Sequence, residues 1–464
     1  MAARRTAGEA SGVVAAAQAL CLGWACAVAP ASPAPAAEDP VATLLEFLTT
    51  KGIDAPARAA LAAGAPWGDA EEETLVRVLA RLPAPDTLVA AWQREAEPLA
   101  EHGLIVDDRL VLVEGRATFV APLQLSAEAA VRAGRPAFDV VRIVDGGDVV
   151  IDVVVPQAPR KWARWQPLDE PATVLGLPLA AAAGPMPRDD APDHRWPDAA
   201  AEFVVAATDV AWRPAGLFGQ LGMNFALFDG VVDDRKLEAG DAAAFWAALA
   251  AVRGVSPAEV ARAAGAATDI VPLIDPQRDW FAMHRGAPVL IDGVARRATR
   301  IAIDDPLRRE QVAADHYWEL EVFVDTPPLS VDGHVQDRYP VVCCVRELPA
   351  GMPAGETISE RVRVPGFAFK RYRYPLSEVL VDGVQELPAG TSRAVPLVVA
   401  PRAEWLVPQS PRGLSAGLFW VFSGIIATVA ALLAANGFAM ARDARRSARL
   451  RCDALPERID LPSE

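Results

Sequence analysis

Cysteine is scarce in this chain. There are five in 464 residues, and none is spaced for a disulfide framework or a zinc site. Cys21 and Cys26 lie in an N-terminal apolar segment and Cys452 lies near the end, which leaves only Cys343 and Cys344 in the body of the chain. Adjacent residues on a strand point to opposite faces, so that pair reads as two strand residues and not as a bond. Packing alone must hold the body together. Histidine is equally rare: His102, His194, His284, His316 and His334 are scattered without metal-ligand spacing. An excess of positive charge is missing too. With 45 Lys and Arg against 60 Asp and Glu, the net charge of −15 repels phosphate backbones and disfavours nucleic acid as a partner. The composition, 52% apolar and 23% charged, excludes a disordered chain. Long apolar runs are absent except at the two ends.

The N-terminal run follows Arg4 and Arg5, extends from Val13 to Ala29 and ends in small residues at Ala29-Pro30-Ala31. That order reads as a secretory signal over residues 1–31, cleaved near Ala31, with an uncleaved signal anchor as the alternative. A lipoprotein signal does not fit, because Gly23 and Gln18 stand three residues before Cys26 and Cys21, where an aliphatic residue is wanted. The C-terminal run, Leu414 to Ala441, holds twenty-eight residues without a charge. As a helix it would rise about 42 Å, more than a hydrocarbon core of about 30 Å requires. Arg442, Arg445, Arg446, Arg449 and Arg451 follow at once, and such a cluster marks the cytoplasmic side. The expectation is a membrane helix over 414–441, a cytoplasmic tail over 442–464, and the bulk of the chain outside the cytoplasm.

Between these ends the sequence repeats itself. Val111-Leu112-Val113-Glu114-Gly115 matches Val289-Leu290-Ile291-Asp292-Gly293, and Phe138 to Asp145 matches Trp318 to Asp325, at offsets of 178 and 180 residues. An apolar strand follows in both copies, then a strand broken by Gly176 or Gly366, then a strand closing on Trp212 or Trp405. Five landmarks in one order point to a duplicated unit. Trp318, Leu320, Val322 and Val324 alternate with acidic neighbours at the period of a half-buried strand. Asp292-Gly293, Asp332-Gly333 and Asp382-Gly383 signal tight turns. So do Glu347-Leu348-Pro349-Ala350-Gly351 and its recurrence at 386–390. Five or six strands in roughly a hundred residues suit a small OB-like barrel, with a β-sandwich as the runner-up. Helical pattern fills the gaps: Val41 to Thr50, Glu72 to Leu82, Leu88 to Glu95, Asp241 to Arg253, and a segment opened by Ser256-Pro257-Ala258-Glu259 and stopped by Gly265.

The expected fold class is therefore α+β. A helical segment spans 40–100, a first β-barrel-like domain 101–214, a helical linker domain 215–285 and a second β-barrel-like domain 286–410, ahead of the membrane helix. In this order, with Leu221-Gly222-Met223 opening the central helices and Pro365-Gly366-Phe367-Ala368-Phe369-Lys370-Arg371-Tyr372 in the second barrel, the chain resembles a family of uncharacterised membrane-anchored proteins from planctomycete-type bacteria. The resemblance implies an exported, anchored architecture and brings no catalytic residue with it.

Chemistry is thinly marked. Gly413-Leu414-Ser415-Ala416-Gly417 fits G-x-S-x-G, but it opens a membrane helix, where a nucleophile elbow has no sheet to sit on. The same glycines with Gly424 give a weak helix-association pattern. The doublets Asp107-Asp108, Asp189-Asp190, Asp233-Asp234 and Asp304-Asp305 lack the alternating ligand loop of a calcium site and read as solvated turns. Two clusters offer a ligand or partner surface. One is Lys370, Arg371, Tyr372 and Arg373 on a strand, which could stack rings and neutralise anions. The other is Trp162 and Trp165 among Arg160, Lys161 and Arg164. The residues name no catalytic group, metal or cofactor. The expectation is a non-catalytic binding or scaffolding protein whose partners are the bilayer and other envelope proteins. An envelope hydrolase and an anionic-polymer or nucleic-acid binder are the alternatives.

Overall fold

A computed structural model describes residues 44–62, 68–82, 96–180, 187, 194–331, 334–375, 392–407 and 414–453, apart from 104 and 108. The signal segment 1–31, the helical pattern at 88–95 and the turns at 332–333 and 382–383 lie outside the described residues. The fold is mixed α and β, with two separate sheets and a long C-terminal helix.

The first sheet is built on β1 (Val111–Gln124), β2 (Ala137–Asp145), β3 (Val150–Val155), β4 (Pro167–Ala180) and β5 (Phe203–Ala207). Its pairings close on themselves. β1 pairs β2, β2 pairs β3, β3 runs parallel to β5, β5 pairs β4, and β4 returns to β1. A two-residue strand, β6 (Ala211–Trp212), adds to the end of β4. The second sheet repeats this ring with β7 (Pro288–Ala302), β8 (His316–Val331), β9 (His334–Glu347), β10 (Glu360–Pro375) and β11 (Ser392–Arg402). Here too the third and fifth strands are parallel and the fourth returns to the first, and β12 (Glu404–Trp405) adds to β10. A long first strand lets one segment face two partners, which is what closes a sheet without leaving an edge.

The copies agree in detail. Val111 stands opposite Gly176, and Val289 opposite Gly366. Register breaks fall between Ala117 and Phe119 and between Pro178 and Ala180 in the first ring. In the second they fall between Ala295 and Arg297 and between Ala368 and Lys370. Trp212 donates its indole N–H to Glu170 at 2.8 Å, and Trp405 donates to Glu360 at 2.7 Å. One shared element escaped the landmarks: a short helix between the first and second strands, α4 (Ala127–Ala133) and α8 (Pro306–Val312), as numbered along the chain with the helices below. Ser126 and Asp305 cap these helices, each accepting a backbone N–H.

Helices also precede each ring. Ahead of the first come α1 (Leu44–Thr50), α2 (Ala55–Ala62) and α3 (Asp69–Arg81). Ahead of the second come α5 (Ala239–Ala251), α6 (Pro257–Ala264) and α7 (Trp280–His284). α3 and α5 have thirteen residues each and open on the same device: the carboxylate of Glu71 or Asp241 accepts the N–H three residues back, at 2.9 Å in both. α3 packs on α4 and β5, and α5 packs on α8 and β11, so the helices dock on equivalent faces. Leu75, Val78 and Leu79 share a core with the outer face of the first ring, while Val113, Ile143 and Val153 fill its interior. Segment 215–285 is not a free linker, because Phe218, Met223, Phe228, Phe245 and Leu249 share one core with Ile291, Leu320 and Phe367 of the second ring. α9 (Leu414–Asp453) runs through the expected boundary at Ala441 and takes the arginine cluster into the helix.

Gly176 and Gly366 sit where β4 and β10 fold down onto the fifth strand. A Cβ at Gly176 would lie 2.3 Å from Val205 Cγ1, and one at Gly366 would lie 2.6 Å from Val398 Cγ1 and 2.8 Å from the Val399 carbonyl oxygen. Gly366→Ala is expected to destabilise the protein by about 1–3 kcal/mol, as overpacking does. Gly146→Ala, in an open turn with nothing within 4 Å, is expected to change little. Thermal unfolding of the two variants side by side checks this.

Candidate functional site

The basic strand segment does not form an open strip. Lys370 is fully buried, and its ammonium donates to Asp241 Oδ2 at 2.8 Å and to the Lys236 carbonyl at 3.3 Å. Asp241 is itself buried and is the same residue that caps α5; its Oδ1 has no hydrogen-bond partner. Arg371 makes a two-pronged pair with Asp234, at 2.6 and 2.5 Å, which lifts its pKa further above the ordinary arginine value. Segment 233–236 runs beside β10 as an added short strand, with Asp234 N–H on the Arg371 carbonyl and Arg373 N–H on the Arg235 carbonyl. Tyr372 is half-buried, and desolvation pushes its hydroxyl up to about 12. Arg373 is exposed and donates to the Asp234 carbonyl at 3.1 Å. The stripe that could have faced a polymer instead latches the central helical segment onto the second ring. Its partners lie more than a hundred residues away, so local alternation could not show them.

The doublet Asp233-Asp234 is thereby accounted for as an arginine receptor. Asp233 accepts from Arg285 at 2.6 Å and from the Arg371 backbone at 2.8 Å. Asp305 is a helix cap, and Asp107 binds Arg109 and the buried His102. Asp189-Asp190 lies outside the described residues, as does Gly413; Ser415 falls in the first turn of α9. His194 stacks on Trp165 and His284 on Trp280. Among the described residues no three His, Cys, Asp or Glu side chains converge as metal ligands.

The tryptophan cluster is the connection between β3 and β4. Trp162 is buried in the interior cluster of the first ring and meets Trp212 edge-on, with centroids 6.1 Å apart. Trp165 is buried on the outer face, with its backbone N–H on the Val120 carbonyl. Arg164 is consumed by Asp139 and three backbone carbonyls. Arg160 and Lys161 are different: both are exposed, and among the described residues neither side chain makes a hydrogen bond or ion pair.

These two cations line a cleft of about 200 Å³ in the body of the protein. It lies on the seam between the two halves. The first half brings Arg160, Lys161 and Trp212; the second brings Phe225, Phe281 and Arg285. The seam is held by Arg160 N–H on Asp229 at 2.8 Å, Trp212 N–H on Asn224 at 2.9 Å, and edge contact of Trp212 with Phe225 at 5.6 Å. Arg285 is nearly buried and donates to the Phe228 and Val231 carbonyls, yet its Nε has no partner. Desolvation, followed by repulsion from Arg285, holds Lys161 below the ordinary lysine value, while desolvation holds Asp229 above the usual carboxylate range. The sequence signalled half of this site through Arg160 and Lys161. Phe281 and Arg285 carried no signal at all.

A second polar group lies on the outer face of the second ring. Glu319 and Glu321 share Arg297, at 3.5 and 3.8 Å. Both are pushed up, chiefly by burial, and Glu321 also by Glu319. The equivalent face of the first ring carries a balanced pair instead: Arg142 and Asp152, buried and doubly bonded at 2.8 and 2.9 Å.

No family model matches the chain, and no curated protein matches it. Among solved structures, a deletion mutant of the single-stranded DNA-binding protein from Thermus aquaticus is similar at 10% identity, over 66% of this chain and 96% of that one, with a TM-score of 0.14. A likeness at that level carries no argument about fold or function.

Two expectations follow. Lys370→Met leaves the Asp241 carboxylate buried without a counter-charge and should cost about 3–5 kcal/mol; adding Asp241→Asn should recover a large part, read by thermal unfolding of the chain in detergent. The glutamates act in the opposite sense. A carboxylate raised in the folded state keeps its proton longer folded than unfolded, so stability falls as pH rises above the ordinary glutamate value of about 4.3. Glu321→Gln should therefore melt higher than wild type at pH 8, and the two should converge near pH 4.

Proposed function

We propose that the chain is a single-pass membrane protein whose tandem OB-like barrels stand outside the cytoplasm as a non-catalytic binding or scaffolding module of the cell envelope, with the basic end of its C-terminal helix on the cytoplasmic side. The observation that carries this reading is α9. Over Phe419–Arg451 it has a mean hydropathy of 1.9 in its most apolar window and none of that window is buried; Phe419, Trp420, Ile426 and Leu433 are all more than half exposed. A helix of that length and composition, covered by nothing among the described residues, is suited to lipid. Its forty residues rise about 60 Å, so about half projects beyond a hydrocarbon core of about 30 Å. The arginines from Arg442 onward lie in the projecting part at its C-terminal end, which supports a cytoplasmic C-terminus.

The OB-like reading rests on the shared strand order, in which the third strand lies parallel to the fifth and the fourth returns to the first. A binding role rests on the seam cleft, where aromatic rings meet Arg160 and Lys161, two cations without a hydrogen-bond or ion-pair partner among the described residues. The polymer-binding alternative loses its carriers, since Lys370 and Arg371 are spent on Asp241 and Asp234.

Protease treatment of intact spheroplasts is expected to degrade the two rings while a C-terminal tag stays protected, and truncation before Leu414 is expected to release the rings from the membrane fraction. Rings that resist protease until the cells are lysed would overturn the orientation, and a truncated chain still in the membrane fraction would overturn the anchor.

A further inference from the structure

We propose that the seam cleft is a binding site for a small monoanion with an apolar body, of the class of aromatic or short aliphatic carboxylates, and that this ligand ties the two halves together. The wall chemistry selects the class. Arg160, Lys161 and Arg285 line the cleft with Asp229, and Asp233, outside the lining, already neutralises Arg285, so one positive charge is left over. A monoanion matches that balance, while a phosphate dianion would exceed it and lie against Asp229. Trp212, Phe225 and Phe281 supply ring surface on the other side, which a compact hydrated anion would leave unfilled. At about 200 Å³ the space suits a body the size of a single ring and is smaller than the usual range of drug-sized sites.

The donors are in place and idle. Among the described residues, Arg160 and Lys161 have no partner for their side-chain N–H groups, and the Nε–H of the nearly buried Arg285 is unsatisfied. Buried donors are ordinarily paired, so the unpaired Nε–H of Arg285 marks a wall that the described residues leave incompletely satisfied, beside two exposed cations. Desolvation and Arg285 disfavour the charge on Lys161 more than Asp229 favours it, and an anion in the cleft would add to the favourable side. Because Arg160 and Lys161 come from the first ring and Arg285 from the second half, the bound anion would bridge the seam.

The inference deepens the reading of an anchored binding protein, yet the two fail separately: ligand response is read on purified protein whatever its orientation in a membrane. The full chain in detergent is titrated with benzoate and, in parallel, with inorganic phosphate, following tryptophan fluorescence and thermal unfolding. Benzoate is expected to raise the melting temperature and to change the emission of Trp212. Lys161→Met is expected to weaken that response about tenfold or more while melting no lower than wild type without ligand. Ala282→Phe, which fills the mouth from an exposed position on α7, is expected to abolish it. No response up to about 10 mM benzoate, beyond the millimolar range of even weak sites, overturns the proposal. So does a response to phosphate alone, or one that survives in both variants.

Discussion

Each ring depends on backbone approaching backbone more closely than a side chain allows. The first strand is pressed onto the second at Gly115 and Gly293, where a Cβ would lie 2.3 and 2.4 Å from a carbonyl oxygen of the neighbouring strand. The fourth strand is pressed onto the fifth at Gly176 and Gly366. Without those four positions the ladder would stay open and expose an edge. Closure in turn sets everything outside it. It fixes where the bulges fall, which face the preceding helices cover, and where the first ring's β3–β4 connection emerges to meet the second half.

The duplication supplied two copies of one frame, and the copies parted company at their bulges. The residues just past the register breaks are Phe119 and Ala180 in the first ring, both in the core shared with the N-terminal helices. In the second ring the same places hold Arg297 and Lys370, each committed to buried or half-buried carboxylates. A bulge re-aims a side chain without disturbing the ladder on either side, so it is where one frame can acquire different chemistry at low cost to the fold. The second ring used this freedom to clamp segment 233–241. That clamp carries Asp233 to Arg285, and through it one wall of the seam cleft is set.

The frame was legible because strands and caps are local. The matching Val-Leu-Val-Glu-Gly and Val-Leu-Ile-Asp-Gly segments, the glycine in the fourth strand and the closing tryptophans all fall on equivalent positions of the two rings. Ser256-Pro257 and Gly265 do bound a helix, with Ser256 capping Glu259. What escaped was of two kinds. The short helices after the first strands are seven residues each, too short for a helical period to mark them. Lys370, Arg371 and Arg373 looked like a solvent-facing stripe because their counter-charges, Asp241 and Asp234, are distant in the chain. Half of the cleft was visible as Arg160 and Lys161, since exposed cations beside tryptophan are conspicuous. Arg285 was not, because an arginine earns no notice until its surroundings are known.

The amino-acid sequence by itself determined that this chain has two equivalent β units with helices between them and ends in a helix long and apolar enough to cross a membrane. Those are matters of period, turn chemistry and uninterrupted hydrophobicity, all read within a few residues. Only the tertiary structure decided that the strands close, that the central helices belong to the second ring, that Lys370 is buried, and that Arg160, Lys161 and Arg285 meet. Each of these depends on which distant segments share a desolvated neighbourhood. Charge and burial there are properties of the pair, and no single stretch of sequence contains both members.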